Sequence, residues 1–230
     1  MPAGGRPWGG LWYSWPSVAE VERIEVRAVT RLFGATLALR GVSVDFTRGE
    51  LVFLEGPNGA GKSTLLAVVG TVLSPSSGTV HYHPMGDDRE RAREQIGWVA
   101  HDSHCYRELT GRQNVELAAR LRGIEPRAAW DWACARVGAS SFGERRVATL
   151  SRGQKQRIAL GRALVHRPSI VLLDEPFSGL DPASSERLEG VLLEERERGA
   201  IVIVVNHTPG LADRLGARTV RIEGGRVVSA

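Results

Sequence analysis

Three short stretches of the chain are apolar without interruption: residues 51–54 (LVFL), 170–173 (IVLL) and 201–205 (IVIVV). Such runs lack the alternation of a half-wet strand. They suit strands buried on both faces, as in a parallel sheet covered by helices. Further β-type segments fall at 25–28, 41–46 and 78–82. Residues 62–70 read as a helix after the first run, and 111–122, 128–137 and 153–165 as helices between the first run and the second. Residues 183–198 read as an amphipathic, charge-rich helix between the second and the third. Strand, helix and strand in that order imply right-handed parallel crossovers. The stretch 103–155 holds no comparable apolar run, so it is predicted to be an inserted helical lobe. The expected fold class is α/β, a mostly parallel sheet core with an antiparallel β portion from the N-terminal half.

The first 20 residues carry Trp8, Trp12 and Trp15 among Gly, Pro and Ser, with no period of either kind. A disordered N-terminal extension over 1–22 is expected, with an aromatic anchor onto a partner as the alternative. At 230 residues and 42% hydrophobic, the chain can bury a sizeable core without disulfides or a structural metal. No stretch reaches the roughly 18 consecutive apolar residues that span a bilayer, and the N-terminus lacks the charged and apolar regions of a signal peptide. Cys105 and Cys134 give no disulfide framework. These features predict a cytoplasmic protein. The net charge of +4 is spread over mixed signs, so no nucleic-acid partner is expected.

The chemistry is carried by Gly56-Pro57-Asn58-Gly59-Ala60-Gly61-Lys62-Ser63-Thr64, which follows the first apolar run and opens a helix. This G-x-x-x-x-G-K-[ST] pattern in that context predicts a phosphate-binding loop, and with it a P-loop NTPase binding ATP and Mg²⁺. Its glycines let backbone N–H groups turn inward around phosphates, and the helix start adds partial positive charge. Lys62 can reach the β- and γ-phosphates, and Ser63 can ligate Mg²⁺. The second apolar run ends in Asp174 and Glu175. Asp174 is the candidate metal ligand, and Glu175 the candidate general base for the attacking water. His207 follows the third run and is the candidate sensor of the γ-phosphate.

Leu150-Ser151-Arg152-Gly153-Gln154 resembles the LSGGQ signature of ABC-transporter ATP-binding subunits, with Arg152 at its third position. The phosphate loop, signature, strand-end acids, Ser178-Gly179-Leu180-Asp181 and His207 occur in that family's order, and the resemblance spans about residues 24–228. It implies an ABC ATP-binding domain over 23–230, with the helical lobe at roughly 103–155. It further implies that Phe33 stacks on adenine, with core packing as the alternative. Ser151, Gly153 and Gln154 would bind the γ-phosphate held by a second protomer in a head-to-tail dimer, and Asp181 would link the two sites. The implied partners are multi-span membrane subunits, and the implied place is peripheral on the inner face of the cell membrane.

His101 stands where the family usually has a glutamine touching magnesium and water, and hard Mg²⁺ prefers oxygen. The stretch from His101 to Asn114 is similar to the haem-exporter (cytochrome c maturation) ATP-binding subunit, although Ala100 and Gln113 replace the glycine and glutamate of that pattern. Haem export is therefore the expected transport role, with another export-type ABC system as the alternative. A soluble ABC-type ATPase and a non-hydrolysing module are the readings from other classes. A metal or haem site at His101, His104 and Cys105, or a metal at His81 and His83, is the minor alternative to solvated loop and strand positions.

Overall fold

The computed structural model describes residues 21–230, so Trp8, Trp12, Trp15 and the expected extension up to residue 20 lie outside the described residues. The last two residues of that expected extension are tied to the fold. Val21 is buried and its N–H donates to Ser169 Oγ at 3.2 Å, while the Glu22 N–H donates to the His83 carbonyl at 2.9 Å.

The chain begins with strands β1 (Arg23–Phe33), β2 (Thr36–Thr47) and β3 (Leu51–Glu55), then helix α1 (Lys62–Val69), strand β4 (Ser77–His83), helix α2 (Arg89–Glu94) and strand β5 (Ile96–Val99). Helices α3 (Gly111–Arg120), α4 (Pro126–Val137) and α5 (Arg152–Leu164) follow with no strand between them. The remainder runs β6 (Ile170–Asp174), α6 (Pro182–Glu197), β7 (Ile201–Val205), α7 (Leu211–Arg214), β8 (Arg218–Glu223) and β9 (Arg226–Ser229). A six-stranded sheet has the order β5-β6-β7-β3-β8-β9, parallel throughout except for the last pair. A three-stranded antiparallel sheet has the order β2-β1-β4. The α/β class, the parallel core, the antiparallel portion and the helical lobe are thus as expected.

The three apolar runs become β3, β6 and β7, and their side chains divide between the two faces of the parallel sheet. Leu51, Phe53, Val171, Leu173, Val202 and Val204 pack into one cluster with α3 to α6. Val52, Leu54, Ile170, Leu172, Ile201, Ile203 and Val205 pack into the other, with α1 and the antiparallel sheet. Both faces are dry, so every position of each run must be apolar. Each such side chain, fully buried, contributes about 1.5–3 kcal/mol.

The lobe helices are started by local chemistry. Thr110 Oγ1 accepts from the Gln113 N–H at 3.1 Å while Gln113 Oε1 accepts from the Thr110 N–H at 2.9 Å, a reciprocal box at the head of α3. Pro126 opens α4 with its φ already fixed, and Gly138 ends it in the left-handed region. Parallel pairing brings the C-terminal ends of β5, β6, β7 and β3 to one edge, where an open α/β sheet binds its ligands. Among the described residues, no helix is long and apolar enough to cross a membrane.

Candidate active site

The loop after β3 folds closely against its neighbours. Gly56 has φ 140, and a Cβ there would fall 2.0 Å from the Ile222 carbonyl oxygen of β8. Gly61, at φ 105, would place a Cβ 2.6 Å from the Ala38 carbonyl oxygen of β2. Only glycine fits either position. Gly61 is also the N-cap of α1 and offers no side-chain acceptor, so the first N–H groups of α1 are left for an anion. Lys62 is only 5% exposed, and its Nζ donates to the Gly56 and Pro57 carbonyls, each at 2.8 Å. Burial lowers the ammonium's pKa, against the raising influence of Glu175 and Asp174. The loop therefore encloses one desolvated cation at the uncapped start of α1, an arrangement suited to a polyphosphate.

β6 lies between β5 and β7, so its end meets residues from both neighbours. Ser63 Oγ donates to Asp174 Oδ1 at 3.0 Å. Burial raises the Asp174 pKa, as does the charge of Glu175, while the Ser63 hydrogen bond opposes the shift. A hydroxyl and a carboxylate oxygen side by side form the hard-oxygen donor set that Mg²⁺ takes. Glu175 follows with φ 51, an uncommon backbone for a residue with a Cβ, and its N–H donates to the Val205 carbonyl at 2.9 Å. Two imidazoles flank its carboxylate: His207 Nε2 lies 3.4 Å from Oε1, and His101 Nδ1 lies 3.6 Å from Oε2.

Sequence reasoning singled out each of these residues but did not place His101 beside Glu175. That proximity comes from β5 pairing with β6, where Val99 stands opposite Leu173. It also missed Arg31, whose guanidinium carbon lies 4.7 Å from the centroid of the 44%-exposed Phe33 ring. The usable signal was the i, i+2 spacing, which puts two strand residues on one face.

The signature residues form a second group. Ser151 caps α5, its Oγ accepting from the Gln154 N–H at 3.2 Å and Gln154 Oε1 accepting from the Ser151 N–H at 3.0 Å. Gly153 approaches the loop before α6, since a Cβ there would lie 3.4 Å from Leu180 Cδ2. Asp181 caps α6, accepting from the Ser184 N–H at 2.8 Å, and that bond lowers its carboxyl pKa. Among the described residues, no hydrogen bond joins Ser151, Gly153, Gln154 or Asp181 to the phosphate loop. Within one protomer the two groups are separate.

The family model that describes the ABC transporter matches residues 39–178. The chain is similar to the lipoprotein-releasing system ATP-binding protein LolD of Myxococcus xanthus, with 41% identity over 203 residues, 84% of this chain and 90% of that protein. It is also similar to the macrolide export ATP-binding/permease protein MacB 1 of Escherichia coli O1:K1 / APEC, with 35% identity over 202 residues, 83% of this chain and 31% of that protein. Among solved structures, a dimeric post-hydrolysis state of the ATP-binding cassette MJ0796 bound to ADP and Pi matches with a TM-score of 0.81 and 30% identity, covering 90% of this chain and 97% of that one. These relatives correct the haem-export expectation, which rested on a loop already altered at Ala100 and Gln113. Over most of its length the chain resembles lipoprotein-release and export cassettes instead. The chain belongs to the ABC transporter family, as one of its ATP-binding, ATP-hydrolysing subunits.

Proposed function

We propose that the chain is the Mg²⁺-dependent motor of an ABC transporter of the lipoprotein-releasing type, working in the cytoplasm on the inner face of the cell membrane. The observation that carries the transport class is the 41% identity to the LolD protein across 90% of its length. In this reading Gly56, Pro57, Asn58, Gly59, Ala60, Gly61, Lys62, Ser63 and Thr64 hold the triphosphate. Phe33 stacks on adenine, with Arg31 on its ring. Ser63 and Asp174 hold Mg²⁺, which when bound neutralises charge on the phosphate oxygens. Glu175 takes the proton of the attacking water, and His207, 3.4 Å away, orients that carboxylate and senses the γ-phosphate. His101 also acts through Glu175 rather than as a metal ligand, since its imidazole lies 3.6 Å from that carboxylate.

Ser151, Gly153, Gln154 and Asp181 have no role toward the phosphate loop of their own protomer. A head-to-tail dimer gives them one, by laying the start of α5 on the partner's nucleotide. The MJ0796 cassette, 30% identical and dimeric with ADP and Pi bound, supports a dimer. For the multi-span membrane subunit we assign the groove of about 920 Å³ between α2, β5, α3 and α5, which is lined by Trp98, Tyr106, Leu117 and Leu121. Tyr106 and Leu121, 57% and 77% exposed, give this groove an apolar contact surface.

Tagged Glu175→Gln protein, purified from host membranes with ATP and Mg²⁺ and analysed by mass spectrometry, tests the assignment. Recovery of a multi-span subunit of the lipoprotein-release type is the expected result. Recovery of cytochrome c maturation components would reverse the choice of transport class, and recovery of no membrane subunit would contradict the motor role.

A further inference from the structure

Arg152 stands out because the signature's other polar groups are already committed. Ser151 Oγ and Gln154 Oε1 satisfy each other's backbone N–H groups in a closed box at the head of α5. Arg152, the first residue of that helix, is exposed, and no carboxylate among the described residues pairs with it. Its Nη2 instead donates to Ser178 Oγ at 3.2 Å, and its Cδ lies 3.3 Å from where a Cβ on Gly179 would stand. Gly179 has φ 72, so the loop can turn under the arginine only with glycine there. Ser178 is in turn tied to the strand-end carboxylate residue, because its N–H donates to the Glu175 carbonyl at 3.1 Å. Glu175 is held in left-handed backbone at φ 51 by its bond to Val205. A residue in that conformation changes readily when the loop that enforces it moves.

We propose that Arg152 is a positioning residue that couples the signature helix to Glu175 of the same protomer through Ser178. The proposal rests on the head-to-tail dimer reading given above. A guanidinium bonds more strongly to a phosphate than to a neutral hydroxyl. When the partner's nucleotide reaches the start of α5, its phosphate draws Arg152 from Ser178. The loop from Pro176 to Asp181 is then released, and the Glu175 backbone shifts with it. Occupancy of the site completed by the partner thereby sets the position of the base in this protomer's own site.

The test is a double-mutant cycle on the full chain, with Arg152→Ala, Ser178→Ala and the pair. ATP affinity, turnover and the Hill coefficient for ATP are measured for each. Both side chains are exposed, so the fold is kept. Each single change is expected to lower kcat roughly 2- to 30-fold and move the Hill coefficient toward about 1, with ATP affinity unchanged in Ser178→Ala. The double variant should be no worse than the more affected single, and Arg152→Lys, which keeps a donor, should restore part of the loss. Unchanged kcat, single effects that multiply in the double variant, or a parallel loss of ATP affinity in Ser178→Ala would each overturn the coupling. Light scattering of Glu175→Gln with ATP separates this from failure of the dimer reading. A persistent monomer would remove the dimer and the coupling together, whereas a dimer alongside a multiplicative cycle would remove the coupling alone.

Discussion

Glu175 combines a strained backbone with a crowded carboxylate. At φ 51 a residue with a Cβ costs about 1–3 kcal/mol, and the contacts around Glu175 offset that cost. Its N–H reaches Val205, its carbonyl accepts from Ser178, and its carboxylate lies between His101 and His207. Among these contacts the motif order accounted for His207, while His101 depended on strand pairing. His166 is a contrasting case. It lines the groove beneath α3, and burial, with Arg122 nearby, pushes its pKa down to about 3. Unfolded, a histidine titrates near 6.5. Between these values the unfolded chain binds a proton that the folded chain refuses, so stability falls as pH drops from about 6.5 toward 3. The loss approaches about 1.4 kcal/mol per pH unit within that window. Urea unfolding at pH 7 and pH 5 should show a lower midpoint at pH 5, and His166→Gln should flatten the difference. An unchanged difference in that variant would assign the acid sensitivity to other groups.

The helical lobe is fixed to α6 by ionic contacts as well as by its apolar face. Glu195 of α6 is 1% exposed, and its Oε1 accepts from Arg136 of α4 at 2.6 Å while its Oε2 accepts from Arg198 Nε at 3.0 Å. Arg136 also bonds Glu194 and stacks 4.7 Å from the Trp132 ring. A buried carboxylate that loses one partner is costly, so Arg136→Ala should lower the unfolding free energy by about 3 kcal/mol. Urea melts measure this, and a change below about 0.5 kcal/mol would show that the apolar contacts alone hold α4 to α6. No local pattern in the sequence revealed the tie to α4, because Arg136 lies 58 and 59 residues from its two carboxylates. β3, β6 and β7 were legible because both sheet faces are dry. α2 was not, since Ala92 is its only buried residue and it shows no apolar period. Its signal was Asp88, which caps it by accepting from the Glu90 and Arg91 N–H groups. β8 and β9 were also missed. In β8 only Val220 and Ile222 are buried, too short an alternation to stand out beside turn glycines.

At the scale of the whole molecule, one parallel sheet separates two tasks. On one face α1 and the antiparallel sheet support the phosphate loop, and on the other α3 to α6 support the signature. The phosphate loop and the signature are therefore carried by helices on opposite faces of the sheet. In the head-to-tail dimer proposed above, ATP would bring two copies together and hydrolysis would separate them. The sequence located both groups by motif, but their separation within a protomer is a property of the fold. The proposed chemistry depends on Glu175, whose carboxylate would accept the water's proton while Lys62, Ser63 and Asp174 hold the nucleotide and its metal. The most direct measurement is phosphate release from ATP with Mg²⁺ by the wild type and by Glu175→Gln, alongside nucleotide affinity for each. The account predicts that Glu175→Gln binds ATP as well as the wild type and turns it over roughly 10²- to 10⁴-fold more slowly; equal turnover by the two proteins would contradict it.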